Sequence, residues 1–125
     1  MNKPSNTGYE SQRLLHQYLL FHYGSQQQIL PYAYGPVEAL DFAVRCVEEC
    51  LDPTVVPENA RALDLGCAVG RATFELARHC PEVIGIDYSH RFIEVAGVLR
   101  DQGSVALASV EQGELTTTSM VSVSM

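Results

Sequence analysis

Two glycines behind an acid, followed by a second acid at the end of the next apolar run, constrain this chain more than any other feature. The first stretch reads Asp64-Leu65-Gly66-Cys67-Ala68-Val69-Gly70-Arg71, and the second reads Gly85-Ile86-Asp87-Tyr88. ARALDLG is a short apolar run ending in an acid and a glycine, which predicts a buried parallel strand at 61–66 with both faces covered. Residues 70–80 have helical spacing through Phe74, Leu76 and Ala77. A second β-rich run occupies 82–87, and 90–102 reads as a further helix closed by Gly103. Strand, glycine turn, helix, strand and helix in that order make a βαβα unit, so the fold class is α/β.

A strand that turns sharply into a helix brings the backbone close to whatever lies at its carboxyl end. Gly66 and Gly70 remove the side chains that block such an approach or forbid the turn. Free N–H groups at the following helix start are expected to hold an anion. Asp87 stands 21 residues after Gly66, where an acid can accept from both ribose hydroxyls of a nucleoside cofactor. A dinucleotide fingerprint fails at its third glycine, because the three positions read Gly66, Ala68 and Arg71. No Gly-Lys-Ser/Thr ending of a phosphate-binding loop is present. Asp64 repels a pyrophosphate but suits a cationic ammonium group. A ligand with a carboxylate, an ammonium and a ribose fits all three features, and S-adenosylmethionine has them.

The pattern D-x-G-x-x-x-G followed by G-x-D resembles the first motif and the acidic end of the second strand in class I methyltransferases, whose fold is Rossmann-like. Ala68 departs from the usual form, in which glycine is commoner, and one added methyl group is expected to be tolerated. Four longer stretches, YESQRLLHQYLLFHYG at 9–24, VRCVEECLD at 44–52, RALDLGCAVGRATFELAR at 61–78 and EVIGIDYSHRFIEVA at 82–96, resemble one family more specifically. It is the methyltransferase domain of ovothiol-biosynthesis enzymes, the mercaptohistidine N-methyltransferases, and EQGELTT at 111–117 looks like its continuation. The resemblance implies N-methylation of the imidazole of 5-thiohistidine, with S-adenosylmethionine as donor. It implies that Asp64, Gly66, Ala68 and Gly70 line the methionine part of the donor, that Cys67 is cofactor-binding with them, that Asp87 takes the ribose, and that Tyr88 lies beside the adenine. It assigns no catalytic base. It also implies a sheet of seven strands, of which two are plainly legible here, with one more near 105–110 or in the tail. The chain is therefore expected to be the N-terminal part of the fold, with further strands beyond Met125, one open sheet edge prone to self-association, weak donor binding and no turnover alone.

Ahead of the motif, Leu14, Leu15, Tyr18, Leu19 and His22 form the stripe of an amphipathic helix over 9–23, with Gly24 as its stop. Residues 25–36 read as a turn-rich loop, and 37–51 as a second helix with Leu40, Val44, Val47 and Leu51 on one face. The expected organisation is a disordered terminus at 1–8, a helical segment at 9–58 and the donor-binding core at 59–125. The last segment reads as a loop plus a strand.

The 125 residues carry 8 Lys and Arg against 15 Asp and Glu, a formal charge of −7, which argues against binding nucleic acid through a basic surface. No apolar run reaches the roughly 18 residues of a membrane span, and no signal peptide is legible, so the expected compartment is the cytoplasm. Cys46, Cys50, Cys67 and Cys80 then read as reduced structural thiols, with no metal site, because zinc spacing needs a second close pair. His16 and His22 read as core or rim residues, and His79 and His90 as solvated. Tyrosines 9, 18, 23, 32 and 34 cluster before the motif; ordinary packing is favoured over an aromatic cage, with Tyr9 and Tyr23 the ones worth testing. Two other readings stay open: a nicotinamide- or flavin-dependent oxidoreductase, and a non-catalytic partner protein that retains the fold's first half.

Overall fold

The computed structural model describes residues 11–112 and 115–123, with side chains outside 108–117. The expected disordered terminus and Tyr9 lie outside the described residues.

Helix α1 runs Gln12–Tyr23 and starts where the Ser11 hydroxyl accepts from the Leu14 N–H. It stops at Gly24, whose N–H donates to the Leu20 carbonyl at 2.8 Å. A single-turn helix, α2 (Gln26–Ile29), follows inside the stretch expected to be loop, held by a reciprocal cap between Ser25 and Gln28. The helix expected over 37–51 is broken. A short 3-10 turn covers Val37–Ala39, and α3 starts only at Phe42 and runs to Cys50. The cause is Asp41, whose φ of 55° puts it in the left-handed region, a conformation acids tolerate better than most residues.

Strand β1 (Arg61–Leu65), helix α4 (Arg71–Leu76), strand β2 (Glu82–Ile86) and helix α5 (His90–Gln102) follow in the expected order. β1 and β2 pair in parallel, with Asp64 opposite Gly85 and Leu65 opposite Ile86. This is a partial Rossmann-like α/β fold. α4 is shorter than its expected span of 70–80: after Leu76 the backbone continues in turns to Cys80. α5 begins at Ser89, whose hydroxyl accepts from the Phe92 N–H, and ends at Gly103 with φ 77°.

The tail differs most from its expected loop plus strand. β3 (Ser104–Gln112) and β4 (Leu115–Ser122) form an antiparallel hairpin, a second sheet separate from β1–β2 among the described residues. Val105 pairs with Val121, and Leu107 and Val121 are buried, while Met120 points outward at 60% exposed.

The core forms away from the parallel strands. Leu15 and Leu19 of α1, Ala68 and Val69 of the glycine turn, Phe92 and Leu99 of α5, and Leu107 and Val121 of the hairpin make one buried cluster. Tyr18 packs its ring on Phe92 at 4.7 Å between centroids. The expectation that both faces of β1 are covered is corrected here. Leu63 is 56% and Leu65 72% exposed, and Ile84 and Ile86 beside them are exposed as well. Ala62 and Asp64 alternate onto the helix side, so the β1–β2 pair is one-sided and β1 has β2 as its only partner strand among the described residues. The apolar run in the sequence thus carries two different environments, one on each face.

Candidate functional site

The stretch from Gly66 to Gly70 turns by alternation. Gly66, Ala68 and Gly70 have φ of 76°, 47° and 88°, with Cys67 and Val69 between them. A left-handed conformation costs an L-residue roughly 1–2 kcal/mol, which is why glycine stands at both ends of the turn. The turn is also anchored from below, since Val69 is fully buried and Cys67 and Ala68 nearly so.

Its backbone is tied to the end of β2. The N–H groups of Gly66 and Cys67 both donate to the Ile86 carbonyl, at 2.7 and 3.0 Å, and Gly70 N–H donates to the Cys67 carbonyl at 2.8 Å. Ala68 N–H donates to Asp87 Oδ2 at 2.8 Å, while Asp87 Oδ1 accepts from Ser89 N–H at 2.9 Å. The N–H groups of Gly66, Cys67, Ala68 and Gly70 are engaged within the chain. Asp87 is a structural clamp first: each carboxylate oxygen already accepts one bond. A carboxylate has about four acceptor positions, so these two bonds alone do not fill it.

Asp64 faces the helix side and accepts from Thr73 Oγ1 at 2.7 Å. This contact needs Gly85 on the neighbouring strand, because a Cβ there falls 2.9 Å from Thr73 Oγ1 and 3.1 Å from Cys67 Sγ. Thr73 was not among the residues singled out from sequence. G-x-D carried the signal for Gly85, but its function as a space beneath the turn depends on the β1–β2 register. Tyr88 lies on the open side, 80% exposed. Asp64, Gly66, Cys67, Ala68, Gly70, Asp87 and Tyr88 are thus brought to one end of the parallel pair, with Cys67 turned inward.

The last turn of α1 closes over this end. Tyr23 Oη donates to the Val69 carbonyl at 2.8 Å, and the Arg71 guanidinium sits 5.7 Å from the Tyr23 ring centroid. Arg71 also reaches the buried Glu75 at 3.7 Å, which Arg78 approaches at 3.5 Å. Burial pushes the Tyr23 phenol well above its usual range, so it stays a donor to Val69. The tyrosines do not form one cluster. Tyr18 and Tyr23 pack on the core and turn, whereas Tyr32 and Tyr34 stack on each other with both rings exposed.

A cavity of about 440 Å³ lies between α4, α5 and β2, lined by residues including Phe74, Cys80, Val83 and Ala96. It shares Cys67 and Gly70 with the residues anticipated for the donor but none of Asp64, Gly66, Ala68, Asp87 or Tyr88. The anticipated site is instead the open surface around the turn.

The four cysteines are free thiols, with Cys46 and Cys50 exposed on α3 and Cys67 and Cys80 buried. Burial, reinforced by the charges of Asp64 and Asp87, pushes the Cys67 thiol up from 9.0 to about 11. Alkylation of the native chain at pH 8 should therefore label Cys46 and Cys50 fast and Cys67 and Cys80 only on unfolding, as read by peptide mass mapping. Rapid native labelling of Cys67 contradicts this packing. Because the folded state holds that proton more tightly, stability falls as pH rises through the unfolded value toward 11.

Comparison with known proteins adds one finding. A family described as a methyltransferase domain matches residues 57–124, more than half of the chain and all of the β1–β2 unit. No curated protein matches the chain. No helix among the described residues is long and apolar enough to cross a membrane.

Proposed function

Because the chain belongs to the methyltransferase-domain family, we propose that its donor is S-adenosylmethionine and its acceptor the imidazole of a 5-thiohistidine. The observation that carries the donor is the clamp between the turn and Asp87. Ala68 N–H on Asp87 Oδ2 at 2.8 Å fixes the acid against the glycine turn, and a carboxylate has acceptor positions beyond this bond to offer ribose hydroxyls. The surroundings fit the rest of the molecule. A Cβ at Gly66 meets nothing within 4 Å, so the backbone there is open to close approach, and exposed Tyr88 offers a ring face beside Asp87. Asp64 keeps acceptor capacity after its bond to Thr73 and suits the ammonium group. The acceptor rests on the resemblance of residues 9–24, 44–52, 61–78 and 82–96 to mercaptohistidine N-methyltransferases.

When bound, S-adenosylmethionine supplies a methyl group on a sulfonium, open to in-line displacement by a neutral ring nitrogen. The residues of the chain contribute position: Asp87 and the turn orient the nucleoside, and Asp64 holds the amino-acid end. Holding two reactants aligned can supply roughly 7–11 kcal/mol of the barrier, so a base is not the first requirement. The proposal extends to the chain on its own. With β1 open at one edge among the described residues and exposed on one face, the chain is expected to self-associate and to bind the donor weakly.

Amide spectra of the chain loaded with S-adenosylhomocysteine test the acceptor. Addition of 5-thiohistidine should shift resonances at the end of α1 and in the turn, and histidine should shift them less. Equal responses to the two compounds, or none to either, contradict the assignment.

A further inference from the structure

The outer face of the β1–β2 pair is exposed among the described residues, yet its composition is not that of a solvent face. Exposure alternates along both strands, so Arg61, Leu63 and Leu65 of β1 share this face with Glu82, Ile84 and Ile86 of β2. The register sets them directly opposite each other, Arg61 on Glu82, Leu63 on Ile84 and Leu65 on Ile86. Two aliphatic rungs are thus closed at one end by an ion pair. That pair is two-pronged: Arg61 Nη2 donates to Glu82 Oε1 at 2.9 Å, and Arg61 Nε lies 2.9 Å from Glu82 Oε2. Parallel sheets occur almost only with both faces covered, whereas a sheet face that meets water carries polar residues in alternation. Here the alternation puts leucines outside and Asp64 inside.

We propose that this face is the contact of a two-fold dimer, in which the β1–β2 pairs of two copies stack face to face. The inference concerns assembly and stands apart from the proposed reaction. Charge favours a second copy as the occupant. The six residues hold one cation and one anion already matched to each other, so they have no spare charge to recognise an acidic or basic partner. A copy of the same face strands no charge when it covers them, and a two-fold contact needs such self-complementarity. Area sets the strength. Four adjoining aliphatic side chains, each exposed by 42–72%, present a few hundred Å², a patch size that marks an interaction surface but falls short of the ~800 Å² per partner of a standard complex. The dimer is therefore weak and reversible, and the charge of −7 on each copy opposes it at low salt. Orientation follows from Asp87, which stands at the carboxyl end of β2. An axis across the strands sets the Arg61–Glu82 end of one copy over the Asp87 end of the other and keeps the two Asp87 carboxylates apart. Pairing through the open edge of β1 is the competing contact. It exchanges hydrogen bonds to water for hydrogen bonds to a neighbour, a small net gain, and leaves all four aliphatic side chains wet.

Sedimentation equilibrium of the full chain without ligand tests the dimer. The mass should rise with concentration from one copy to two and stop there. Leu63→Thr/Leu65→Thr keeps strand-forming residues and the net charge, and both sites are exposed. The variant should retain the circular dichroism of the fold and dimerise at least about tenfold more weakly. Methyl resonances of the unsubstituted chain give a readout that stands if the variant does not fold. With a soluble paramagnetic probe, the methyls of Leu63, Leu65, Ile84 and Ile86 should be broadened at low concentration and shielded as the dimer forms, with amide exchange in β1 unchanged. A chain that is monomeric at all concentrations, mass growth beyond two copies, or an undiminished dimer in the variant overturns the proposal. So do methyls already shielded in the monomer, which places a segment of the same chain on the face. Protection that appears only at β1 amides places the contact at the edge and overturns it as well.

Discussion

Replacing Gly70 by alanine is expected to destabilise the fold by about 2–5 kcal/mol, the sum of left-handed strain and overpacking. The strain follows from its φ of 88°. The overpacking follows from a Cβ that falls 3.2 Å from both Ala96 Cβ and Phe74 Cε2. Gly66 separates the two causes. Its φ is 76° but its Cβ position is open, so Gly66→Ala should cost only the strain, roughly 1–2 kcal/mol. Urea denaturation of the two variants checks the order, and equal losses contradict the packing of α5 against the turn. Ala68 shows what the turn does tolerate. At φ 47° it bears the same strain, but its buried methyl returns about 0.8 kcal/mol, which the open Cβ position at Gly66 does not offer. The methyl offsets much of the strain, so the departure from glycine at this position leaves the turn intact.

Asp87→Ala is expected to weaken both the fold and donor binding. Two charge-assisted bonds disappear, from Ala68 and Ser89, and each is worth roughly 1.5–3 kcal/mol. Ala68 N–H is then left buried without a partner, so a loss of about 3 kcal/mol or more is expected in thermal or urea unfolding. S-adenosylhomocysteine affinity should fall by at least tenfold, since the ribose loses its acceptor and the turn its clamp. Asp87→Asn keeps one acceptor oxygen but turns an amide donor toward an N–H, so it should fall between. An Asp87→Ala chain as stable as the original contradicts the clamp, whatever its affinity.

The comparison of these two residues shows where sequence reading works. Gly66, Gly70 and Asp87 were legible because chemistry fixes their types: only certain residues make a left-handed turn, and only a carboxylate side chain accepts through two oxygens with no donor of its own. β1, β2 and α5 were legible within a residue or two because their apolar runs end in marked stops such as Gly103. Local pattern failed where distant contacts decide. The break at Asp41 is a single left-handed residue inside an otherwise helical pattern. The β3–β4 hairpin is specified by Leu107 and Val121 meeting α1 and α5, and neither residue announces that partner. Leu63 and Leu65 read as core because an apolar run does not say which of its faces is covered. His22 read as a core or rim residue, and it is half-buried; what distinguishes it is one buried nitrogen, a property of three-dimensional placement. Asp87 was read as a ribose ligand, and its bonds to the backbone were missed because main-chain partners leave no trace in residue type.

Isothermal titration of the purified chain reads out the proposed hold of the glycine turn and Asp87 on S-adenosylmethionine. S-adenosylhomocysteine should bind at one site per chain, with affinity lost in Asp87→Ala, while NAD gives no heat of binding. Binding of NAD with none of S-adenosylhomocysteine contradicts the account.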